Sequence, residues 1–294
     1  MRTVPALRVV TLNIWGRQGP WESRLPVLRR TLAALDVDLV GLQEVIRFDA
    51  DRAPAMEAPK LATSDQAMEI CEGLGLVSCF GAALDLGFGL SFGNAVLSRF
   101  PIIDSCTTSL PNERGAEPRA LLTAKIDAPF GPVLFGSTHL AWRFDEGALR
   151  MRQVQAIASE LEQRRNGISY PPILVGDFNA EPDSDEIRFL RGLHTRDGVS
   201  TYFIDAFGEA GTGAGTTFDR ANDFARAVGE PDRRIDYVFV RGRDPRAWGR
   251  PLSCRRAFDS AASPTTGSAP VFASDHFGVV AELLAPEPIR SAIS

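Results

Sequence analysis

The sequence predicts an α/β fold, and three observations carry that expectation. Apolar runs of strand length alternate with stretches whose apolar residues recur every three or four positions. Four strand candidates crowd between Leu76 and His139, close enough for antiparallel hairpins rather than helical crossovers. Run after run ends in an acid, an amide or a histidine, at the edge where α/β-type folds commonly place their chemistry.

The elements follow in order. Residues 7–14 read as the first strand, and 23–35 as a helix with Leu25, Leu28, Leu32 and Leu35 on one face. Residues 37–42 form a second buried strand. The stretch 47–64, rich in Ala, Pro and Asp, reads as a surface excursion, and 65–74 as a short helix. Strands are expected over 77–83, 94–98, 119–126 and 133–138. The clearest helix is 146–165, with Met151, Val154, Ile157 and Leu161 aligned. A strand at 173–175 lies between Pro171-Pro172 and Glu181-Pro182. Asp183, with Glu186 three residues on, fits the N-cap of a short helix near 184–193. Strands at 235–240 and 277–284 finish the set, and 208–215 and 260–273 are small-residue loops. With no linker and no solenoid repeat, the chain is expected to be one domain over residues 1–285. A mobile tail is expected from Pro286.

At 294 residues, 44% hydrophobic and 23% charged, the composition is that of an ordinary soluble protein with a large core. No apolar run is long enough to span a bilayer. Met1-Arg2-Thr3-Val4-Pro5 runs directly into the first strand and leaves no room for a signal peptide. A cytoplasmic monomer is expected. Cys71, Cys79, Cys106 and Cys254 form no Cys-x-x-Cys pair and read as inert thiols. The formal net charge of −5 weighs against broad nonspecific contact with nucleic acid. Lysine occurs only at Lys60 and Lys125. Arginine's fork suits phosphate, although GC-rich coding accounts for the bias as readily.

The most informative stretch is Gly176-Asp177-Phe178-Asn179, which closes an apolar run. Alternation on an extended chain places Asp177 and Asn179 on one side. An acid and an amide there can orient water and hold an oxyanion, yet the same residues suit an Asx turn. Other runs deliver Asn13 in Thr11-Leu12-Asn13-Ile14-Trp15, Glu44 in Leu42-Gln43-Glu44-Val45, and Asn94 in Gly93-Asn94-Ala95. Further along come His139, then Asp236 in Arg234-Ile235-Asp236-Tyr237, then Asp275 and His276 in Ser274-Asp275-His276-Phe277. Singly, each has a structural use as a cap, a solvated terminus or half of an ion pair. Jointly they do not, because two of the chain's three histidines fall in these positions. Two other motifs fail on context. Gly89-Leu90-Ser91-Phe92-Gly93 matches a nucleophile elbow but is followed by a strand rather than a helix. The glycines of 211–215 lack the Lys-Ser/Thr of a P-loop.

Together with Gly-Asn-Ala-Val-Leu-Ser-Arg-Phe-Pro-Ile and Ser-Asp-His-Phe-Gly-Val, these motifs occur in order from Asn13 to Val279. The ordered set resembles the endonuclease/exonuclease/phosphatase superfamily, the DNase I-like fold. That resemblance implies a four-layer α/β/β/α sandwich of two mixed sheets flanked by helices, with a cleft at one end. It implies Glu44 as the principal Mg²⁺ ligand, with Asn13 and Asp275 nearby and Mn²⁺ able to substitute. Asp177 would activate water, and Asn179 would hold a phosphoryl oxygen. His276, oriented by Asp236, and His139 would contact the phosphoryl group. Asn94 would support the site, either by touching phosphate or by orienting a catalytic neighbour; with Arg119 it is a candidate substrate contact, and Arg99, Arg143 and Arg220 are further phosphate-gripping candidates. Thr216-Thr217-Phe218 resembles a family segment that borders the cleft.

Physical logic agrees. Phosphoryl transfer needs charge neutralisation and in-line placement more than covalent chemistry. A hard cation takes oxygen ligands, and a carboxylate on one imidazole nitrogen fixes the tautomer. Thr138-His139-Leu140 stands where AP endonucleases carry a Tyr-x-Pro-Asn type segment. Arg234-Ile235-Asp236 stands where inositol-5-phosphatases carry Cys-Asp-Arg, so the branch stays open. The expected substrate is a phosphorylated small molecule, lipid headgroup or nucleotide, with nucleic acid as the alternative and a silent binding scaffold as the third reading. Selection among them is expected from the rim loops 47–64, 86–92, 111–119, 143–146, 208–225 and 253–273.

Overall fold

The computed structural model describes residues 5–52, 64–242 and 244–288. Its first sheet begins with β1 (Ala6–Asn13), α1 (Trp21–Leu35) and β2 (Leu39–Phe48), followed by β3 (Ser64–Asp65), α2 (Gln66–Cys71), β4 (Val77–Gly87) and β5 (Leu90–Ser98). The second sheet takes β6 (Ile102–Ser109), β7 (Ala120–Ala128), β8 (Gly131–His139), α3 (Gly147–Arg164) and β9 (Ile173–Asp177). Then come α4 (Asp185–Leu190), β10 (Phe203–Asp205), α5 (Ala206–Ala210), α6 (Asp223–Val228) and β11 (Asp236–Arg241). Finally β12 (Pro251–Ala257) and β13 (Gly278–Leu284) return to the first sheet. The strand orders are β12-β13-β1-β2-β5-β4, with β3 on β2, and β10-β11-β9-β8-β7-β6.

Three apolar layers make this a four-layer α/β/β/α sandwich. Val9, Leu39, Val96, Leu122, Phe135 and Val175 meet between the sheets. The alternate residues Val10, Leu12, Val40 and Leu42 face outward, under Leu28 and Leu32 of α1. On the other side Leu134, Leu174 and Phe239 pack under Met151, Val154, Ile157 and Leu161 of α3. Central strands buried on both faces read as nearly continuous apolar runs, which is why the sequence exposes them so clearly.

Each sheet holds one parallel pair joined by a helix: β1-α1-β2 in the first and β8-α3-β9 in the second. Parallel pairing aligns the carboxyl ends of both strands, so the two units present their strand ends at one edge of the sandwich.

Several expectations need correction. The strand β6 was not anticipated, because Asp104-Ser105-Cys106-Thr107-Thr108 is an exposed edge without an apolar run. The short elements β10, β12, α5 and α6 were likewise missed, and α5 takes the start of the expected 208–215 loop. Arg47 and Phe48, placed in a surface excursion, belong to β2, while 53–63 lie outside the described residues. Ser184, not Asp183, occupies the N-cap of α4, and its side chain makes no capping bond. The rejection of a nucleophile elbow, by contrast, needs no correction, since Ser91 lies inside β5, opposite Arg47 and Asp85. Of the expected tail, 286–288 are described and 289–294 lie outside the described residues.

All four cysteines are free. Burial pushes the thiols of Cys71 and Cys79 up to about 11 and that of Cys254 up to about 12, in keeping with inert thiols. No helix of the described residues is long and apolar enough to cross a membrane.

Candidate active site

Strand register assembles the centre. Asp177, the last residue of β9, stands beside His139 on β8 and beside Asp236 on β11. Gly176 allows this close approach, since a Cβ there would lie 2.0 Å from the Thr138 carbonyl oxygen. The corner after β9 is an Asx turn, in which Asp177 Oδ1 accepts the Asn179 N–H at 2.9 Å. Asn179 sits at φ 49°, a left-handed conformation that asparagine tolerates. Asp177 and Asn179 therefore share the cleft through a turn rather than through strand alternation. Asn179 Nδ2 lies 3.0 Å from His139 Nε2 and donates to the Leu140 carbonyl at 3.3 Å.

The other Asp177 oxygen is the hub. Oδ2 accepts Asn13 Nδ2 at 3.1 Å and faces His139 Nε2 at 3.4 Å and His276 Nε2 at 3.8 Å. Burial alone would raise this carboxyl. The two imidazoles, the Asn13 amide and the Asn179 N–H hold it below the ordinary aspartate value.

The two histidines differ in charge. His276 Nδ1 and Asp236 Oδ2 are 2.9 Å apart. Against burial, Asp236, Asp177 and Asp275 lift His276 well above an ordinary histidine. Asp236 is itself pushed up to about 6 by burial and by Asp177. His139 goes the other way, down to about 3, through burial and the Arg119 guanidinium. Arg119 Nη1 lies 3.2 Å from His139 Nδ1, so donor groups of Arg119 and Asn179 face the two ring nitrogens.

Glu44 arrives by a β-bulge. Leu42 pairs with Ala95 and Val45 with Gly93, so Asn94 alone faces Gln43 and Glu44. The bulge puts Glu44 at φ 58° and turns its carboxylate into the cleft. Glu44 Oε1 accepts Asn13 Nδ2 at 3.0 Å. Burial and the neighbouring Asp275 carboxylate push Glu44 up to about 7, and burial raises Asp275 as well. Two buried carboxylates whose mutual repulsion raises Glu44 offer the oxygen ligands that a hard divalent cation prefers, and Asn13 stands beside them with its amide nitrogen on Glu44 and its oxygen accepting the Trp15 N–H at 3.0 Å. Among the described residues, Asp177, Asp236 and His276 also form a group that could hold a metal ion, their ligand atoms lying within 4.8 Å of one another.

Arg24, missed in the sequence, braces this half from behind. Its guanidinium is buried and donates to the carbonyls of Ile14, Gly16, Gln18 and Ala273 at 2.7–2.9 Å. It lies 5.2 Å from the ring centroids of both Trp15 and Trp21. These bonds tie the loop after Asn13 to the loop before Asp275. A signal was present, because Arg24 falls four residues before Leu28 on the apolar stripe of α1. Asn222 Nδ2 fixes the same segment by donating to the Ser274 and Asp275 carbonyls at 2.8 and 3.1 Å.

The resulting cleft of about 440 Å³ is lined by Asn13, Glu44, Arg119, His139, Asp177, Asn179, Asp275 and His276. Asp236 is buried behind His276. Asn94, expected to contact substrate, lies outside the lining, and its Nδ2 donates to the Ala120 carbonyl at 2.9 Å instead. That places it as a tie between the sheets beside Arg119. Arg99 is bound to Asp36 and Arg220 to Asp232, while Arg143 lies over the Trp142 ring, and none of the three lines the cleft. The segment 216–218 does border it. Phe218 is in the lining, and Thr217 Oγ1 accepts the Ile235 and Asp236 N–H groups at 3.2 Å.

The model of the Endonuclease/Exonuclease/phosphatase family matches residues 10–276. The chain belongs to this family. Its members are hydrolases acting on phosphoester bonds. No curated protein sequence matches. Among solved structures, an endonuclease/exonuclease/phosphatase from Beutenbergia cavernae DSM 12333 is 25% identical, with TM-score 0.66 over 97% of this chain and 73% of that one. A mannosyl-6-phosphatase from Bacteroides thetaiotaomicron VPI-5482 is 18% identical, with TM-score 0.69 over 95% and 100%. A humanized Danio rerio TDP2 is 17% identical, with TM-score 0.69 over 95% and 99%. At these identities the latter two show the shared DNase I-like fold.

Proposed function

We propose that the protein is a Mg²⁺-dependent phosphoesterase that hydrolyses a phosphodiester or phosphomonoester of a small molecule, lipid headgroup or nucleotide. The observation that carries this reading is Asp177, a buried carboxylate kept ionised between a charged and a neutral histidine and joined through Asn13 to Glu44. Glu44, Asp275 and Asn13 would hold the cation. When bound, it supplies charge neutralisation for the phosphoryl and leaving oxygens. The Asp177-Asp236-His276 group is the poorer holder, because a protonated His276 has no lone pair to offer.

Asp177 accepts the proton of the attacking water, which then enters in line with the leaving oxygen. His276, its Nδ1 pinned by Asp236, presents Nε2–H to a phosphoryl oxygen as negative charge builds there. Neutral His139 and the Asn179 amide lie side by side and face the same oxygens. Burial and the Arg119 charge keep His139 neutral. No serine or cysteine nucleophile is required.

Purified protein should hydrolyse a generic aryl phosphodiester with Mg²⁺ or Mn²⁺, and lose that activity with EDTA and in Glu44→Ala. Metal-independent turnover, or full activity in both Asp177→Ala and His276→Ala, would overturn the mechanism.

A further inference from the structure

Two apolar walls rise from the floor of the cleft. One is the β4–β5 hairpin, whose Leu84, Leu86 and Phe92 line the cleft. Its tip carries Phe88, 60% exposed. The other comes from the loop after β8 and the segments before β11. Trp142, 47% exposed, and Phe218 face the cleft there, and Phe144 lies against the Arg233 guanidinium at 4.6 Å. Six of the twelve large apolar side chains exposed among the described residues stand on these two rims, the hairpin's Leu90 and the opposite Val228 included. Scattered exposed apolar residues mean little, whereas a concentration around one cleft marks a binding surface.

The charges of the walls narrow what could bind. Glu117 and Glu230 line the cleft in addition to Glu44, Asp177 and Asp275. The cleft's two arginines are already engaged, Arg119 with Glu117 at 2.9 Å and Arg233 with Glu230. A polyanion would meet acidic walls whose cations are committed, which is the opposite of what phosphate-backbone binding requires. A lone phosphate on the floor, with carbon extending from it, meets no such penalty.

We propose that the substrate is an amphiphilic phosphoester, dissolved as a monomer, with one phosphate on the floor and an alkyl or aryl group laid between the hairpin wall and Trp142. This rests on the phosphoesterase reading above and names its substrate class. Burial of one methylene is worth roughly a fourfold gain in affinity, so chain length is the variable to test.

The experiment uses the full chain and a series of p-nitrophenyl phosphodiesters whose second ester group is methyl, butyl or octyl. Calorimetry with methyl and hexyl phosphate measures binding without turnover. The expected result is a rise in kcat/KM approaching sixtyfold from methyl to butyl, about fourfold for each of three methylenes, with a further gain at octyl, and tighter binding of hexyl than of methyl phosphate. Both gradients should flatten in Leu86→Ser and in Trp142→Ala, which change surface side chains. Equal rates and equal binding along the series would overturn the proposal. So would gradients that survive both substitutions, or a single-stranded oligonucleotide cleaved faster than every ester with steep salt dependence. No turnover of any ester with the binding gradient intact would overturn the hydrolase reading alone and support the amphiphile preference.

Discussion

Arg119 stands 3.2 Å from His139 Nδ1, and its charge adds to the burial that keeps the histidine facing Asp177 neutral. With a pKa near 3, His139 stays neutral while the unfolded chain's histidine, near 6.5, takes up a proton. Its folded value is depressed, so the stability it contributes is fully present above pH 6.5 and is lost as pH falls toward 3. Urea melts of His139→Gln should lose stability less steeply than the wild type between pH 6.5 and 4. Equal slopes would remove His139 from the acid sensitivity. In Arg119→Met, NMR titration should show the His139 pKa moving up toward the ordinary range.

In the proposed mechanism Asp236 would act on the phosphoryl group only through His276, whose Nδ1 it holds at 2.9 Å. Asp236→Asn removes the charge that keeps His276 protonated and correctly turned. We expect kcat to fall by roughly 10²- to 10⁴-fold, the range of a positioned acid or base, with little change in KM. The activity should recover partially toward lower pH, where His276 regains its proton. A pH profile parallel to that of the wild type would refute the role.

Glu44 and Asp275 repel each other while no cation lies between them. In EDTA, Glu44→Gln should therefore melt above the wild type by a few degrees, about 2–4 °C per kcal/mol relieved. Saturating Mg²⁺ should reverse the order, because only the wild type gains binding free energy. Differential scanning fluorimetry with and without Mg²⁺ reads both signs.

Arg24→Leu leaves four carbonyls, those of Ile14, Gly16 and Ala273 buried, without their guanidinium donors. The cost should be roughly 3–5 kcal/mol in denaturant unfolding. At temperatures where the variant is still folded, weaker Mg²⁺ binding is expected, since the loops carrying Asn13 and Asp275 lose their common brace. Unaltered Mg²⁺ affinity in the folded variant would confine Arg24 to stability.

Much of the site was legible because its residues interrupt apolar strands, where a polar side chain has no packing role. Asn13, Glu44, His139, Asp177, Asp236 and His276 all stood out for that reason, and all come together here. Arg24 was missed because one charged residue on a helical stripe reads as ordinary noise. Its significance lies in carbonyls from distant loops. Which of its two expected roles Asn94 takes was hidden for a similar reason. Sequence shows a polar residue in a strand, but only the bulge of β2 reveals that it faces two residues and turns toward Ala120. The edge strand β6 was hidden because exposed edges need no apolar pattern. Gly176 carried no reading of its own in the sequence, whereas the structure makes it a spacing requirement against Thr138.

Asn13 Nδ2 reaches Glu44 within its own sheet and Asp177 in the other, so one amide group staples the two halves of the sandwich at their shared edge. Neither half contains a working centre. A chain that has formed both sheets without docking them would show native strands and helices yet be chemically silent. On the proposed mechanism turnover would report the last step of assembly, and any rocking of one sheet against the other would change the distance from Asp177 to Glu44 directly.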